Sequence, residues 1–168
     1  MCIRDRPDET VNALVADRIE QLDCRQGFIL DGYPRTVSQA EILTELLRSR
    51  GIATVVVYLK VDYNVIMARL AGRRLCPVCG ALYSLSPNAR TVSEVCDYDG
   101  SKLVVREDDR PEVVTERLKA YDRQTSPVLE YFRTAGFDCW EVDGAGAGGP
   151  QAIAQRIQSM LREKGYRS

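Results

Sequence analysis

Four residues near the middle of the chain have the types and spacing of a metal site. Cys76 and Cys79 form a Cys-x-x-Cys pair in "LCPVCG", and Cys96 and Asp99 form a Cys-x-x-Asp pair in "CDYDG" after sixteen intervening residues. Zinc prefers four tetrahedral ligands, which two such turns can supply. With no vacant position, the metal would be structural. Asp97 lies only two residues from Asp99, so the fourth ligand stays open.

Two other kinds of cysteine chemistry compete with a metal site. Cys76 and Cys79 have the spacing of a redox dithiol, and they could also form a disulfide. The presence of a second pair at metal-site spacing and a predicted cytosolic setting disfavour both alternatives. Cys24 and Cys139 stand alone beside apolar neighbours, so we predict that they are buried free thiols.

Arginine is the second residue type whose positions suggest chemistry. The chain has nineteen arginines and four lysines, which either a GC-rich coding bias or a phosphate-binding role would explain. Guanidinium groups bind phosphate oxygens bidentately. Several arginines accompany carboxylates at predicted strand ends and at both ends of the cysteine-rich segment: Asp31, Arg35, Arg69, Arg73, Arg106, Asp108, Asp109 and Arg117. Guanidinium groups beside carboxylates for a divalent cation suggest phosphoryl transfer.

Alternating strands and helices are predicted to position these residues. Apolar runs predict strands over 27–32, 53–61 and 137–144. Helical periodicity, with Ser38 as one cap and a break at Pro127, predicts helices over 7–22, 38–51, 62–74, 110–136 and 150–165. This order predicts an α/β fold with a parallel sheet, interrupted by a separate small lobe where periodicity disappears between residues 75 and 109.

Composition limits the classes of protein that the chain can represent. Its 168 residues, 45% hydrophobic, can bury one substantial core. A net charge of −1 gives no basic field for nucleic acid or an anionic membrane. The longest apolar run, over 53–59, is strand-sized, and the first thirty residues have no apolar segment typical of a secretion signal. We therefore expect a cytoplasmic protein with no nucleic-acid or membrane partner.

The segment "GFILDGYPRTVSQAE" resembles the signature of adenylate kinases, G-F-[LI]-L-D-G-[FY]-P-R-T-x-x-Q-A. In the same order, "RLAGRR" and "REDDRPE" resemble the two ends of that family's lid, and "VDGAGAGG" resembles its loop over the ATP adenine. The cysteine pairs resemble the zinc lid of the long bacterial form. The resemblance implies a P-loop NTPase-like nucleoside monophosphate kinase core over 7–72 and 110–168, a zinc lid over 73–109, and residues 1–6 outside the family pattern.

The resemblance also implies reversible phosphoryl transfer from ATP to AMP by a monomer, giving two ADP, with Mg²⁺ accompanying ATP and Zn²⁺ in the lid. The residues that it assigns to AMP are Gly32, Tyr33, Pro34, Arg35, Gln39, Arg106 and Arg117. The residues that it assigns to ATP are Arg69, Arg73, Leu82, Tyr83 and Gly146. The catalytic group that it implies is Arg73, Arg106, Arg117 and Asp31, the last for the water shell of Mg²⁺.

One part of the family pattern does not occur in this sequence. The chain has no G-x-x-x-x-G-K-[ST] phosphate loop, and the segments "FILD" and "VVVYL" would flank an empty strand position. We therefore expect an N-terminally truncated fragment that is inactive by itself, with a naturally short relative as the alternative. Two further alternatives are a kinase for another nucleoside monophosphate and a non-catalytic zinc-ribbon binding module.

Overall fold

The computed structural model describes residues 7–84, 94–146 and 148–166, which form a mixed α/β structure. Its helices are α1 (Asp8–Ile19), α2 (Val37–Ser49), α3 (Tyr63–Ala71), α4 (Pro111–Ala120), α5 (Ser126–Thr134) and α6 (Gly149–Glu163). Its strands are β1 (Val55–Lys60), β2 (Arg73–Leu75), β3 (Leu82–Ser84) and β4 (Asp138–Asp143). No helix within these described ranges is long and apolar enough to cross a membrane.

The described residues fall into two compact units. The first unit lies within Met1–Tyr58 and Ala120–Trp140, and the second lies within Leu59–Lys119 and Glu141–Ser168. β1 and β4 pair in a two-stranded parallel sheet, which confirms the predicted fold class. The described residues of the predicted lobe, 73–84 and 94–109, lie within the second unit.

The core of the first unit forms where α2 packs against α5. Ala40, Leu43 and Leu47 follow one another at helical spacing and are almost completely buried. They meet Val128 and Phe132 on α5 in the same cluster. Burying one such leucine or phenylalanine side chain stabilises the fold by about 1.5–3 kcal/mol, so this face fixes the position of α2.

The N-cap of α2 lies two residues before the predicted one. The cap is Thr36 rather than Ser38, because the Thr36 hydroxyl accepts a hydrogen bond from the Gln39 amide at 3.2 Å. A hydroxyl three residues before an otherwise unpaired helical amide is the usual N-cap geometry. Asp62 caps α3, since its carboxylate accepts from the Asn64 backbone amide at 2.8 Å.

The predicted strand over 27–32 is wrong. A short 3₁₀ turn, Leu22–Gln26, precedes this segment, and residues 27–30 have no regular structure. Phe28 and Leu30 pack against the core of the first unit, whereas Ile29 is 93% exposed. A strand needs a partner backbone, and no strand within the described residues pairs with this segment.

The interruption expected at Pro127 takes the form of a π-helical segment, Tyr121–Thr125, between α4 and α5. Pro127 itself lies in the first turn of α5. Proline has no backbone N–H to donate to the preceding turn, but the first turn of a helix has no use for that donor. The helical run therefore continues through α5 after a locally widened turn.

The residue that follows β4 has no room for a side chain. The Gly144 amide donates to the Lys60 carbonyl at 2.9 Å, and a Cβ on Gly144 would lie 2.6 Å from Val61 Cγ2. We expect Gly144→Ala to destabilise the protein by about 1–3 kcal/mol, because the neighbouring chain must shift. Urea unfolding measures the change, and Gly146→Ala is the control because its nearest contact would be 3.6 Å away. Equal midpoints for both variants would contradict this account of Gly144.

Candidate functional site

The four predicted metal ligands meet in the second unit. The sulfur atoms of Cys76, Cys79 and Cys96 and a carboxylate oxygen of Asp99 all lie within 4.8 Å of one another. The Cys79 and Cys96 sulfurs are 3.5 Å apart, and Asp99 Oδ2 is 3.2 Å from the Cys76 sulfur. Bonds of about 2.3 Å to sulfur and about 2.0 Å to oxygen imply ligand separations of roughly 3.5–3.8 Å in a tetrahedron. The donors therefore fit a zinc-like ion, with Asp99 rather than Asp97 in the cluster.

Two turns of the same construction present these ligands. The Gly80 amide donates to the Cys76 carbonyl at 3.1 Å, and the Gly100 amide donates to the Cys96 carbonyl at 2.9 Å. Both glycines are left-handed, with φ of 75° and 71°, which other residues adopt at a cost. In each turn the amide two residues after the cysteine donates to the cysteine sulfur at 3.4 Å. The two sequence pairs are thus two copies of one ligand-presenting turn.

Short β pairings hold the two turns against each other. β2 and β3 form an antiparallel hairpin in which Arg73 faces Ser84. Leu75 and Val104 exchange backbone hydrogen bonds of 2.8 and 2.9 Å. The cluster of buried residues here consists of Cys76, Cys96 and Leu103. Two of the three members of this small core are metal-ligand candidates, so a bound metal would supply much of the stability of this part of the chain.

Hydrogen bonds keep the non-sulfur ligand charged. Hydrogen bonds from Ser101 hold the pKa of the Asp99 carboxyl well below its usual range. The Tyr83 hydroxyl donates to the Cys96 sulfur at 3.3 Å and accepts from the Asp97 amide at 2.9 Å. The bond to Cys96 and desolvation raise the pKa of Tyr83 to about 12. The Tyr83 hydroxyl therefore supports the turn that contains Cys96.

In the first unit, hydrogen bonds to the side chain and the backbone of Arg35 hold the turn before α2. Arg35 Nε donates to the Gly32 carbonyl at 2.6 Å, and the Arg35 amide donates to Gln39 Oε1 at 2.8 Å. Thr125 Oγ1 donates to the Arg35 carbonyl at 3.0 Å. Gly32 is left-handed at φ 73°, and a Cβ there would lie 2.9 Å from Arg35 Nη2. The Arg35 side chain therefore folds back closely over Gly32.

α1 and α2 together hold the remaining side chains of this turn. Tyr33 donates its hydroxyl hydrogen to Asn12 Oδ1 at 2.7 Å, and the peptide bond between Tyr33 and Pro34 is cis. Burial, with a smaller effect of the Asp8 charge, raises the pKa of Tyr33. Gln39, only 6% exposed, donates from Nε2 to Asp8 Oδ1 at 2.7 Å.

In the second unit, two of the predicted arginines contact Asp108. Arg106 forms an ion pair with the Asp108 carboxylate at 2.8 Å, and Arg117 Nη1 donates to the Asp108 carbonyl at 3.1 Å. Asp108 lies in the 3₁₀ turn Glu107–Asp109. A hydrogen bond from its own amide, followed by the charges of Arg106 and Arg117, lowers the pKa of Asp108. The turn therefore gathers two guanidinium groups at one residue, one on its carboxylate and one on its backbone carbonyl.

A third arginine contacts the next residue of the same turn. Arg73 Nη1 lies 3.4 Å from Asp109 Oδ1, and the Asp109 side chain is completely buried. Asp109 Oδ2 is buried with no hydrogen-bond partner in the part of the chain that the structure describes. A buried carboxylate normally needs its charge and lone pairs compensated. Arg73 is therefore held at the same turn that Arg106 and Arg117 contact.

The last predicted arginine contacts the loop after β4. Both Nη atoms of Arg69 donate to the Gly144 carbonyl at 3.1 Å. Asp143 Oδ1 accepts from the Ala145 amide at 2.8 Å and so shapes the start of this loop. Arg69 and the start of the segment that contains Gly146 are therefore neighbours in the second unit.

A sequence profile of the adenylate kinase family matches residues 6–137. The chain belongs to this family. It is 44% identical over 131 residues to an adenylate kinase of Caldanaerobacter subterraneus subsp. tengcongensis, covering 77% of this chain and 59% of that protein. It is 43% identical over 155 residues to one from Anaeromyxobacter dehalogenans, covering 92% and 71%. The chain thus spans about three fifths of the length of the first of these curated relatives.

The residues that the adenylate kinase resemblance singles out divide between the two units. The first unit contains Asp31, Gly32, Tyr33, Pro34, Arg35 and Gln39. The second contains Arg69, Arg73, Leu82, Tyr83, Arg106, Arg117, Gly146 and the four metal-ligand candidates. Within each unit the structure gathers most of them into shared hydrogen-bond networks, whereas Asp31 is an exposed residue in the bend before Gly32.

Three residues that hold the turn before α2 were not predicted from the sequence. Asp8, Asn12 and Thr125 hydrogen-bond to Gln39, Tyr33 and the Arg35 carbonyl, respectively. In the sequence, Asp8 is an ordinary first-turn acid and Asn12 an ordinary polar position of an amphipathic helix. No local pattern distinguishes them, because their partners are distant in sequence.

Proposed function

We propose that this chain represents a monomeric, cytoplasmic adenylate kinase that transfers the γ-phosphoryl group of ATP to AMP and gives two ADP. In the proposed reaction a phosphate oxygen of AMP attacks the γ-phosphorus, while the bond from that phosphorus to the bridging oxygen breaks. The electron pair of the broken bond leaves with the first ADP, and the phosphorylated AMP is the second. No covalent enzyme intermediate is needed, so the protein contributes positioning and charge stabilisation.

The observation that carries this proposal is the arrangement of three guanidinium groups at one acidic turn. Arg73, Arg106 and Arg117 all contact Asp108 or Asp109. Carboxylates hold Arg73 and Arg106 and a backbone carbonyl holds Arg117, so little reorganisation is needed when phosphate oxygens arrive. Fixed positive groups in a site that excludes water stabilise the charge that develops on a transferred phosphoryl group. This is the chemistry that a kinase of nucleoside monophosphates requires.

The turn before α2 supports AMP as the acceptor nucleotide. Arg35 follows a tightly hydrogen-bonded turn, which suits a charged contact to the AMP phosphate. Gln39 offers an amide, and an amide can pair with the donor and acceptor of adenine at the same time. The two residues would thus hold opposite ends of AMP from one turn of the chain.

Two metal ions belong to the proposal. The carboxylate of Asp31 would hold the water shell of Mg²⁺, which neutralises charge on the ATP phosphates when bound. Cys76, Cys79, Cys96 and Asp99 would hold zinc, since their donor atoms lie within 4.8 Å of one another and are the ligand types that zinc prefers. A closed set of four protein ligands leaves the zinc no role beyond stabilising the lobe.

The AMP assignment is tested with Arg35→Ala. Because the sequence lacks a phosphate loop, the test uses this chain preceded by the phosphate-loop segment of an adenylate kinase relative, here called the extended protein. Loss of a charge-assisted hydrogen bond is expected to weaken AMP binding by roughly ten- to a hundredfold, with ATP binding unchanged. Calorimetry with each nucleotide measures both affinities.

Arg25→Ala is the matched control for this prediction, because Arg25 is an exposed arginine of the same unit. It should leave both affinities unchanged. If Arg35→Ala weakened ATP as much as AMP, the phosphate contact would be misassigned. If the extended protein phosphorylated another nucleoside monophosphate in preference to AMP, the second kinase candidate would replace the first.

A further inference from the structure

The side-chain amide of Gln39 is fixed by one partner at each end. Its Nε2 donates to Asp8 Oδ1 at 2.7 Å, and its Oε1 accepts from the Arg35 amide at 2.8 Å. The residue keeps only 6% of its surface exposed, so solvent offers few alternatives to these bonds. The amide therefore sits between an obligatory acceptor and an obligatory donor.

These two partners decide which way round the amide lies. A carboxylate without a proton can only accept, and a backbone N–H can only donate. Rotating the Gln39 amide by half a turn would set Oε1 against the Asp8 carboxylate and Nε2 against the Arg35 N–H. Both contacts would then be repulsive, and burial makes unpaired polar groups costly. Asp8 and the Arg35 backbone thus lock one of two orientations.

We propose that Asp8 is a positioning residue that makes the AMP site selective for adenine by locking the Gln39 amide. The proposal rests on the proposed function, in which Gln39 contacts the base. Each end of the amide has one bonding position left after its protein partner, a hydrogen on Nε2 and a lone pair on Oε1. Adenine offers the matching pair, a 6-amino donor beside an acceptor ring nitrogen.

A purine with oxygen at position 6 offers the wrong pattern to the locked amide. Its carbonyl oxygen would face the Gln39 Oε1 lone pair, so two acceptors would meet. Only a rotated amide could pair with such a base at both positions, and Asp8 opposes that rotation. A site whose polar groups are fixed in one pattern rejects an analogue with the other pattern strongly.

Asp8 does more here than an acid at a helix start usually does. The Asp8 carboxylate also accepts a hydrogen bond from Thr36 Oγ1 at 3.3 Å. That hydroxyl oxygen caps α2, because it accepts from the backbone N–H of Gln39 at 3.2 Å. The contacts link the first turns of α1 and α2. Glu9 is the other acid in the first turn of α1, and within the described residues it forms no hydrogen bond to Gln39 that would give it the same role. Both acids place a negative charge in the first turn of the helix, so Glu9 is a matched control.

The test compares AMP with inosine monophosphate, its 6-oxo analogue, in the extended protein. Asp8→Ala is expected to lower the ratio of AMP to inosine monophosphate kcat/KM by roughly tenfold or more, because the second amide orientation becomes accessible. The KM for ATP should not change. Asp8→Asn should give a ratio between those of Asp8→Ala and the unmodified protein, because its amide can accept from Gln39 Nε2 but can also rotate to donate to Oε1. Glu9→Ala should leave the ratio unchanged.

The outcomes separate this proposal from the one on which it rests. If Asp8→Ala and Glu9→Ala weaken both nucleotides alike and the ratio holds, Asp8 is only structural and the positioning proposal is wrong. If the unmodified extended protein does not prefer AMP over inosine monophosphate, the proposed function is wrong, and the proposed role of Asp8 is wrong as well. Should Asp8→Ala fail to fold, Asp8→Ser replaces it, because its hydroxyl is one atom too short to reach Gln39. A full ratio in that variant would equally overturn the proposal.

Discussion

The 168-residue chain by itself is expected to form ADP from ATP and AMP more than a thousandfold more slowly than the extended protein. A phosphate loop supplies a nest of backbone N–H donors and a lysine directed at the β- and γ-phosphates. Loss of a single preorganised donor commonly costs about a hundred- to a thousandfold in rate. The 168 residues contain no G-x-x-x-x-G-K-[ST] motif, so several such donors would be lost together.

None of the four lysines is placed to substitute for the one in a phosphate loop. Lys60 is paired with Glu141 at 2.9 Å, and Lys119 with Glu116 at 2.9 Å. Lys102 lies in a β-bridge of the lobe, and Lys164 follows the end of α6. The glycine-rich segment before α6 has no lysine. No lysine of this chain therefore lies in a glycine-rich loop, where it could bind phosphate together with the three arginines at the acidic turn.

A coupled assay of ADP formation tests this prediction. The control is the extended protein with the lysine of its added loop changed to alanine, which should be nearly as inactive as the 168-residue chain. Rapid ADP formation by the unextended chain, after purification that removes host kinase, would show that another element of this chain binds the phosphates.

The sequence predicts those parts of the structure that are set by residues close together in the chain. The metal cluster consists of two four-residue turns with the same ligand spacing, and each turn closes on its own glycine. The helices follow from apolar residues three and four apart, as for Ala40, Leu43 and Leu47. Such features depend little on what packs around them.

The sequence does not predict features that depend on a partner far away in the chain. Phe28, Ile29 and Leu30 have the composition of a strand, but composition cannot supply the neighbouring backbone that a strand pairs with. The bond between Asp8 and Gln39 spans 31 residues, so only the packing of α1 beside α2 reveals it. Local patterns therefore singled out candidate binding residues, but not the residues that hold these candidates in place.

Removal of one metal ligand is expected to have the second largest effect. The purified chain should contain one zinc, and Cys96→Ser should lower its zinc affinity by more than about a hundredfold, because even partners outside the ligand set commonly contribute ten- to a hundredfold. Cys96 is buried and its sulfur lies 3.5 Å from the Cys79 sulfur, so a hydroxyl there cannot complete the thiolate set. Elemental analysis measures the zinc content.

The structural consequence should be confined to the lobe over residues 73–109. Because Cys76, Cys96 and Leu103 are the buried residues of its small cluster, a lobe without metal has little else to hold its turns together. Limited proteolysis should then cut Cys96→Ser between residues 75 and 109 well before it cuts the unmodified chain. Cys139→Ser is the matched control, since Cys139 is a half-buried free thiol of the first unit. Equal cleavage of the two variants in this segment, or a zinc-free chain whose thiols all titrate freely, would show that the four ligands do not hold a structural metal.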